Sequence, residues 1–175
     1  MATWIRAATL DDLATIKRIA VDAQMFGAEE VDVFDEMLAG ALDGSLEDHH
    51  WLVAGARTPG AGAGAGAAES IAVRGAAYFA PEPFADRVWN LFFLAVDPGA
   101  HGTGVGTGLI DHVEAALVQR GESEARVLLV ETSSTEQYER TRAFYAARGF
   151  TDEARVREYY GPGDDKVVFW KSLLG

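Results

Sequence analysis

Cysteine is missing from all 175 residues, and with it go disulfides, thiolate nucleophiles and cysteine-ligated zinc. That absence fits a cytoplasmic protein. Long apolar runs are missing too. The longest clear one, LFFLAV at 91–96, has six residues, against the roughly 18 that a membrane span needs, so no membrane partner is expected. The opening MATWIRAATLDD has no basic region followed by an apolar stretch, so no secretory leader is expected. Basic charge is scarce: 15 Lys and Arg stand against 27 Asp and Glu, a net charge of −12. A duplex-binding protein would carry a basic stripe, so nucleic acid is not an expected partner. Residues 1–56 hold eleven acidic side chains against three basic ones, a balance of −8. Such an excess keeps a chain in solution, and it would also steer a cationic small molecule or a basic peptide toward it. The histidines are scattered with no His-x-x-x-His spacing, so no metal site is expected. There is no Gly-x-Ser-x-Gly either, and helix capping explains Ser133 and Ser134 better than nucleophilic catalysis.

What is present is a regular succession of short elements. TWIRAAT reads as a strand. A helix follows, with Thr9 or Asp11 as its cap and Leu13, Ile16, Ile19 and Ala20 at helical spacing. Val33, Phe34, Met37, Leu38 and Ala41 mark a second amphipathic helix, closed near Gly44. His49 and His50 read as exposed residues ahead of the strand WLVAGAR. Residues 57–70 alternate Gly and Ala and read as a flexible hairpin connection without chemistry. IAVRGAAYF and VWNLFFLAV are two further strands. Val105, Leu109, Val113, Ala116 and Leu117 share one face of a third helix that ends near Gly121. ARVLLVET reads as a buried strand. The next helix is opened by Ser134, with Gln137 as its capping-box partner, and stopped by Gly149. Two strands joined by GPGDD close the chain. The order β-α-α-β-β-β-α-β-α-β-β predicts a mixed α/β sheet in one domain over residues 1–175, as a monomer or homodimer.

VDPGAHGTGVGTGL, at 96–109, places five glycines between a strand and a helix. Unpaired N–H groups and the helix dipole make such a junction an anion site. Which anion it takes can be narrowed by exclusion. A Walker loop needs a lysine, and none occurs between Lys17 and Lys166. A dinucleotide fingerprint needs Gly-x-Gly-x-x-Gly, and every register fails: from Gly102 the last position is Thr107, from Gly104 it is Leu109. What remains is His101-x-x-Gly104-x-Gly106.

In that context LAVDPGAHGTGVGTGLIDHVE resembles the pyrophosphate-binding motif of the GNAT superfamily of N-acetyltransferases, Arg/Gln-x-x-Gly-x-Gly/Ala after a strand ending in Val-x-Pro. ETSSTEQYERTRAFYAARGF is similar to the family's later signature, a helix ending in FY…GF, and EYYGPGDDKVVFWKSL to its closing hairpin. The element order agrees over essentially the whole chain. The resemblance implies the GNAT fold and acetyl-CoA as co-substrate, without a metal. Leu94, Ala95 and Val96 would present backbone groups to the pantetheine arm, with the Val96 N–H facing the thioester carbonyl. The diphosphate would rest on the backbone of Gly102, Thr103, Gly104, Val105, Gly106 and Thr107. His101 stands where the family has Arg or Gln; it either touches phosphate or hydrogen-bonds the local backbone.

The resemblance also implies Tyr145 as the group that gives a proton to the departing CoA thiolate; otherwise its ring is a core aromatic. Glu131 would take the proton of the incoming amine, or else be a structural carboxylate. Tyr138 stands where many members carry an asparagine near CoA. Trp89, Asn90, Tyr159 and Tyr160 are placed near the acceptor by layout alone. The function implied is acetyl transfer from acetyl-CoA to an amine, on a small molecule or a peptide N-terminus, in a ternary complex. Two alternatives keep the fold: a non-catalytic acyl-CoA-binding sensor, and a transferase for a different acyl-CoA.

Overall fold

The structure is a computed structural model that describes residues 3–56 and 72–174. Among the described residues, seven strands and four α-helices appear in the expected order. They are β1 (Thr3–Ala7), α1 (Leu13–Asp22), α2 (Val33–Asp43), β2 (His50–Ala56), β3 (Gly75–Pro81), β4 (Val88–Val96), α3 (Val105–Arg120), β5 (Val127–Ser133), α4 (Glu139–Ala147), β6 (Thr151–Gly161) and β7 (Asp164–Ser172). The strands form one mixed sheet in the order β1-β2-β3-β4-β5-β7-β6. The parallel pair is β4 with β5, from Val88↔Val127 to Leu91↔Val130. β5 with β7 and β6 with β7 are antiparallel. The Gly/Ala connection at 57–70 lies outside the described residues. No helix among the described residues is long and apolar enough to cross a membrane.

The described residues form two compact units, residues 3–56, 72–79 and 93–113 in one, and residues 80–92 and 114–174 in the other. In the first, α1 buries Ile16, Ile19 and Ala20 and α2 buries Phe34 and Leu38. Phe34 packs edge-on against Trp51 and Phe93, with ring centroids 5.2 and 5.3 Å apart. Val33 departs from the helical-face reading: it starts α2 and is 52% exposed. Ahead of α1, Thr9 and Asp12 form the capping box of a 3-10 turn over Leu10–Asp12, and Asp12 also takes a two-pronged hydrogen bond from Arg6 at 2.7 and 2.8 Å. His49 is not an exposed turn residue; its ring nitrogen meets the Tyr78 hydroxyl, and burial lowers its pKa.

Gly75 shows how tightly β3 seats α3. A Cβ there would lie 2.6 Å from Val105 Cγ1 and 3.1 Å from the Ala95 carbonyl oxygen. Only a glycine lets the first residue of α3 pack this close. Gly75→Ala should therefore cost roughly 1–3 kcal/mol as overpacking. A melting curve should show the loss as a drop of several degrees; an unchanged midpoint would mean that α3 adjusts freely.

In the second unit, α4 ends as FY…GF predicts, with a physical reason for the motif. Gly149 takes φ +82, its N–H donates to the Ala146 carbonyl, and the Phe150 N–H donates to the Tyr145 carbonyl. This is a Schellman turn, whose hydrophobic contact here is Phe150 on Tyr145 at 5.7 Å. The start of the helix differs from the reading. Ser134 and Gln137 do not cap it, because a 3-10 turn over Glu136–Tyr138 intervenes with Thr135 at its head. Ser134 instead accepts the Asp165 N–H through its hydroxyl at 2.9 Å, and Ser133 donates to Asp164 at 2.6 Å. Nearest-neighbour spacing could not reveal this, since the competing partners sit 31 residues away.

Candidate active site

The glycine stretch belongs to the first unit. Asp97, with Pro98 after it, heads a 3-10 turn over Pro98–Ala100 and accepts the Gly99 N–H at 3.0 Å. Thr103 closes the next turn by donating its hydroxyl to the Ala100 carbonyl at 2.6 Å. Gly102 and Gly104 then take φ +75 and +90, and nothing lies within 4 Å of where a Cβ would stand on either. An L-residue rarely adopts this backbone. α3 starts at Val105, which is buried and anchors the helix end. The N–H groups of Gly102, Gly104, Val105, Gly106 and Thr107 meet no acceptor among the described residues. The result is a run of bare donors at the positive end of a 16-residue helix.

The strand leading in has Ala95 buried and Leu94 and Val96 half-buried. His101 is exposed, and its ring Nε2 donates to the Val96 carbonyl at 3.1 Å. The ring must carry its proton on that nitrogen, because a carbonyl can only accept. Of the two readings for residue 101, the structure places the ring on local backbone.

The second unit holds the predicted acid–base residues. Tyr145 is 4% exposed, with its ring among Phe144, Phe150 and Phe169 at 5.3–5.7 Å. Burial pushes its hydroxyl well above the ordinary phenol value. Glu131 lies on β5, opposite Val168 of β7, with its side chain 28% exposed. Its carboxylate accepts from Lys166 Nζ at 3.1 Å. The same ammonium stands 4.0 Å over the Tyr159 ring. Tyr159 and Tyr160 are about half exposed and meet edge-to-face at 5.0 Å. The Tyr160 hydroxyl is pushed up to about 12, first by burial and then by Glu131, Tyr159, Asp164 and Tyr138. Tyr138 is raised by burial and by Asp164. Glu131, Lys166, Tyr138, Tyr159, Tyr160 and Asp164 thus share one electrostatic neighbourhood.

Trp89 and Asn90 part company, as neighbours on a strand must. Asn90 pairs with Leu129 and so shares the sheet face of Glu131, two residues along β5. It is 1% exposed, donates to Glu82 at 2.6 Å, and its Oδ1 is buried without a partner among the described residues. Trp89 points to the other face, where its indole N–H donates to the Glu124 carbonyl at 3.1 Å and Arg120 covers its ring.

Sequence reasoning missed Lys166 and Asp97. Lys166 pairs with a residue 35 positions away, through a β5–β7 register that no local pattern encodes. The cue for Asp97 was present, since an Asp-Pro-Gly run is a turn opener, but its long-range partners had no signature.

The GNAT acetyltransferase domain family matches residues 47–152, so the chain belongs to the GNAT family of N-acetyltransferases. Solved structures of similar fold span nearly the whole chain. A GNAT-family protein from Desulfovibrio desulfuricans is 26% identical, with 98% of this chain and 99% of that one covered and a TM-score of 0.81. The Salmonella typhimurium protein yncA, solved with acetyl-CoA, is 21% identical over 99% and 95%, with a TM-score of 0.73. The ribosomal-protein-S18-alanine N-acetyltransferase of Escherichia coli is 18% identical over 98% and 94%, with a TM-score of 0.68. No curated protein matches the chain.

Proposed function

We propose that this chain moves the acetyl group of acetyl-CoA onto the amine of a small molecule or a peptide N-terminus, by direct attack with both substrates bound. One observation carries the donor half. Gly102 and Gly104 are left-handed with open space beside each Cα, and five N–H groups from Gly102 to Thr107 meet no acceptor among the described residues. A diphosphate needs such donors, and needs no Cβ in front of them. The Salmonella typhimurium relative solved with acetyl-CoA supports the same donor.

Acetyl-CoA supplies an acyl carbon activated by its thioester. The amine nitrogen bonds to that carbon as the carbon–sulfur bond breaks. Leu94 and Ala95 would offer backbone groups to the pantetheine arm, and the Val96 N–H would stabilise the charge that develops on the carbonyl oxygen. Glu131 would accept the amine's proton. Tyr145 would act as a donor that stays protonated. Its raised pKa makes full transfer to a thiolate, with a reference value of about 8.5, uphill. Its part is therefore a hydrogen bond to the departing sulfur.

The acceptor would lie against Tyr159 and Tyr160. The carboxylates of Glu131 and Asp164 both act on the Tyr160 hydroxyl there, with Lys166 paired to Glu131. That balance, together with the acidic first third of the chain, favours a cationic amine. The Escherichia coli relative named for the S18 alanine is an N-acetyltransferase, which supports an amine as acceptor.

Thiol release from acetyl-CoA over a panel of primary amines and peptides tests the reading. Acceptor-dependent release is expected, whereas tight acetyl-CoA binding with no such release would make the chain a sensor. For Glu131→Gln, the limb of the pH–rate profile that rises with pH should vanish, since a base works only when ionised. An unaltered profile would place the base elsewhere.

A further inference from the structure

The peptide between Val96 and Asp97 joins β4 to the glycine loop, and both of its polar groups are held. The Val96 carbonyl accepts from the His101 ring at 3.1 Å. The Asp97 N–H donates at 2.8 Å to the carbonyl of Arg74, the residue ahead of β3. Asp97, 9% exposed, divides its two carboxylate oxygens. Oδ1 accepts the Gly99 N–H at 3.0 Å, and Oδ2 receives Arg18 of α1 at 3.3 Å and Arg74 at 3.4 Å. Arg18 is itself oriented by Asp22 at 2.7 Å. Three stretches remote in the chain thus converge on one carboxylate. Burial alone would raise its pKa, but the Gly99 N–H and the two guanidinium groups outweigh that and hold the carboxyl below its ordinary range.

A loop with glycine at 99, 102, 104 and 106 is costly to order. If ordering waited for the ligand, affinity would bear the cost. We propose that Asp97 and His101 are positioning residues that hold the Val96–Asp97 peptide and so preform the anion-binding loop, residue 101 acting on the strand carbonyl rather than on phosphate. The proposal rests on the donor reading above only in that CoA is the ligand measured.

Calorimetric titration of CoA into the wild type, Asp97→Asn, His101→Ala and His101→Gln tests it, with amide exchange of the ligand-free proteins as a second readout. Asp97→Asn keeps the size and gives up the charge, so its Kd should rise about tenfold. His101→Ala should raise Kd roughly three- to tenfold and speed exchange across residues 99–104. His101→Gln, whose amide N–H can serve the same carbonyl, should return to within about twofold of the wild type. Should Asp97→Asn unfold, the two His101 variants carry the test alone. Equal affinity in all the proteins that fold would overturn the proposal and leave the donor reading standing. Affinity lost in His101→Ala and not regained in His101→Gln would also overturn it. A wild type that binds no CoA would overturn the donor reading, and this proposal with it.

Discussion

Gly104→Ala should weaken CoA binding by roughly ten- to a hundredfold. That is the range expected when a backbone N–H loses a charged acceptor, a loss of about 1.5–3 kcal/mol. Two effects act at this position and can be separated. The left-handed backbone, φ +90, resists any L-residue, which costs about 1–2 kcal/mol of folding stability. That strain is present with or without ligand and does not alter affinity. The new methyl group, by contrast, would occupy the open space beside the Gly104 Cα, and under the donor reading it would hold phosphate oxygens off the backbone. Gly121 supplies the control. It is also left-handed, φ +83, with nothing within 4 Å of a Cβ position, but it follows the C-terminal end of α3. Gly121→Ala should melt earlier by a similar margin and bind CoA normally. Equal binding by both variants would remove the loop from the donor site.

Tyr145→Phe should lower turnover roughly ten- to a hundredfold, the loss of one hydrogen bond to a charged group being about 1.5–3 kcal/mol, with CoA affinity little changed. The substitution is clean because the ring stays where Phe144, Phe150 and Phe169 pack around it, and only the hydroxyl is lost. A melting midpoint close to that of the wild type would verify that packing survives. Unchanged turnover would leave Tyr145 as a core aromatic held by the Schellman turn.

How far the fold and the site could be read from the sequence depends on the range over which each signal acts. The element order was legible throughout because periodicity and glycine stops are local. Gly44, Gly121 and Gly149 each take positive φ just past a helix, where the reading places them. Val33 misled because a helix's first residue can carry the right spacing and still face solvent. Ser134 misled because a serine hydroxyl can serve a helix N-terminus or a distant strand equally well, and here the β7 backbone claims it. The same limit governs the site. The glycine loop is a contiguous motif, so its bare N–H groups could be anticipated. The Lys166 pairing with Glu131, the cover of Trp89 by Arg120, and the meeting of Arg18 and Arg74 on Asp97 all depend on contacts between segments far apart in the chain.

The central claim is that the loop from Gly102 to Thr107 holds the diphosphate of acetyl-CoA. Titration of acetyl-CoA into the wild-type protein, followed by calorimetry, tests it most directly. The account predicts saturable binding at one site per chain, with most of the affinity lost in Gly104→Ala. No detectable binding at acetyl-CoA concentrations well above those that saturate ordinary enzyme sites would contradict it.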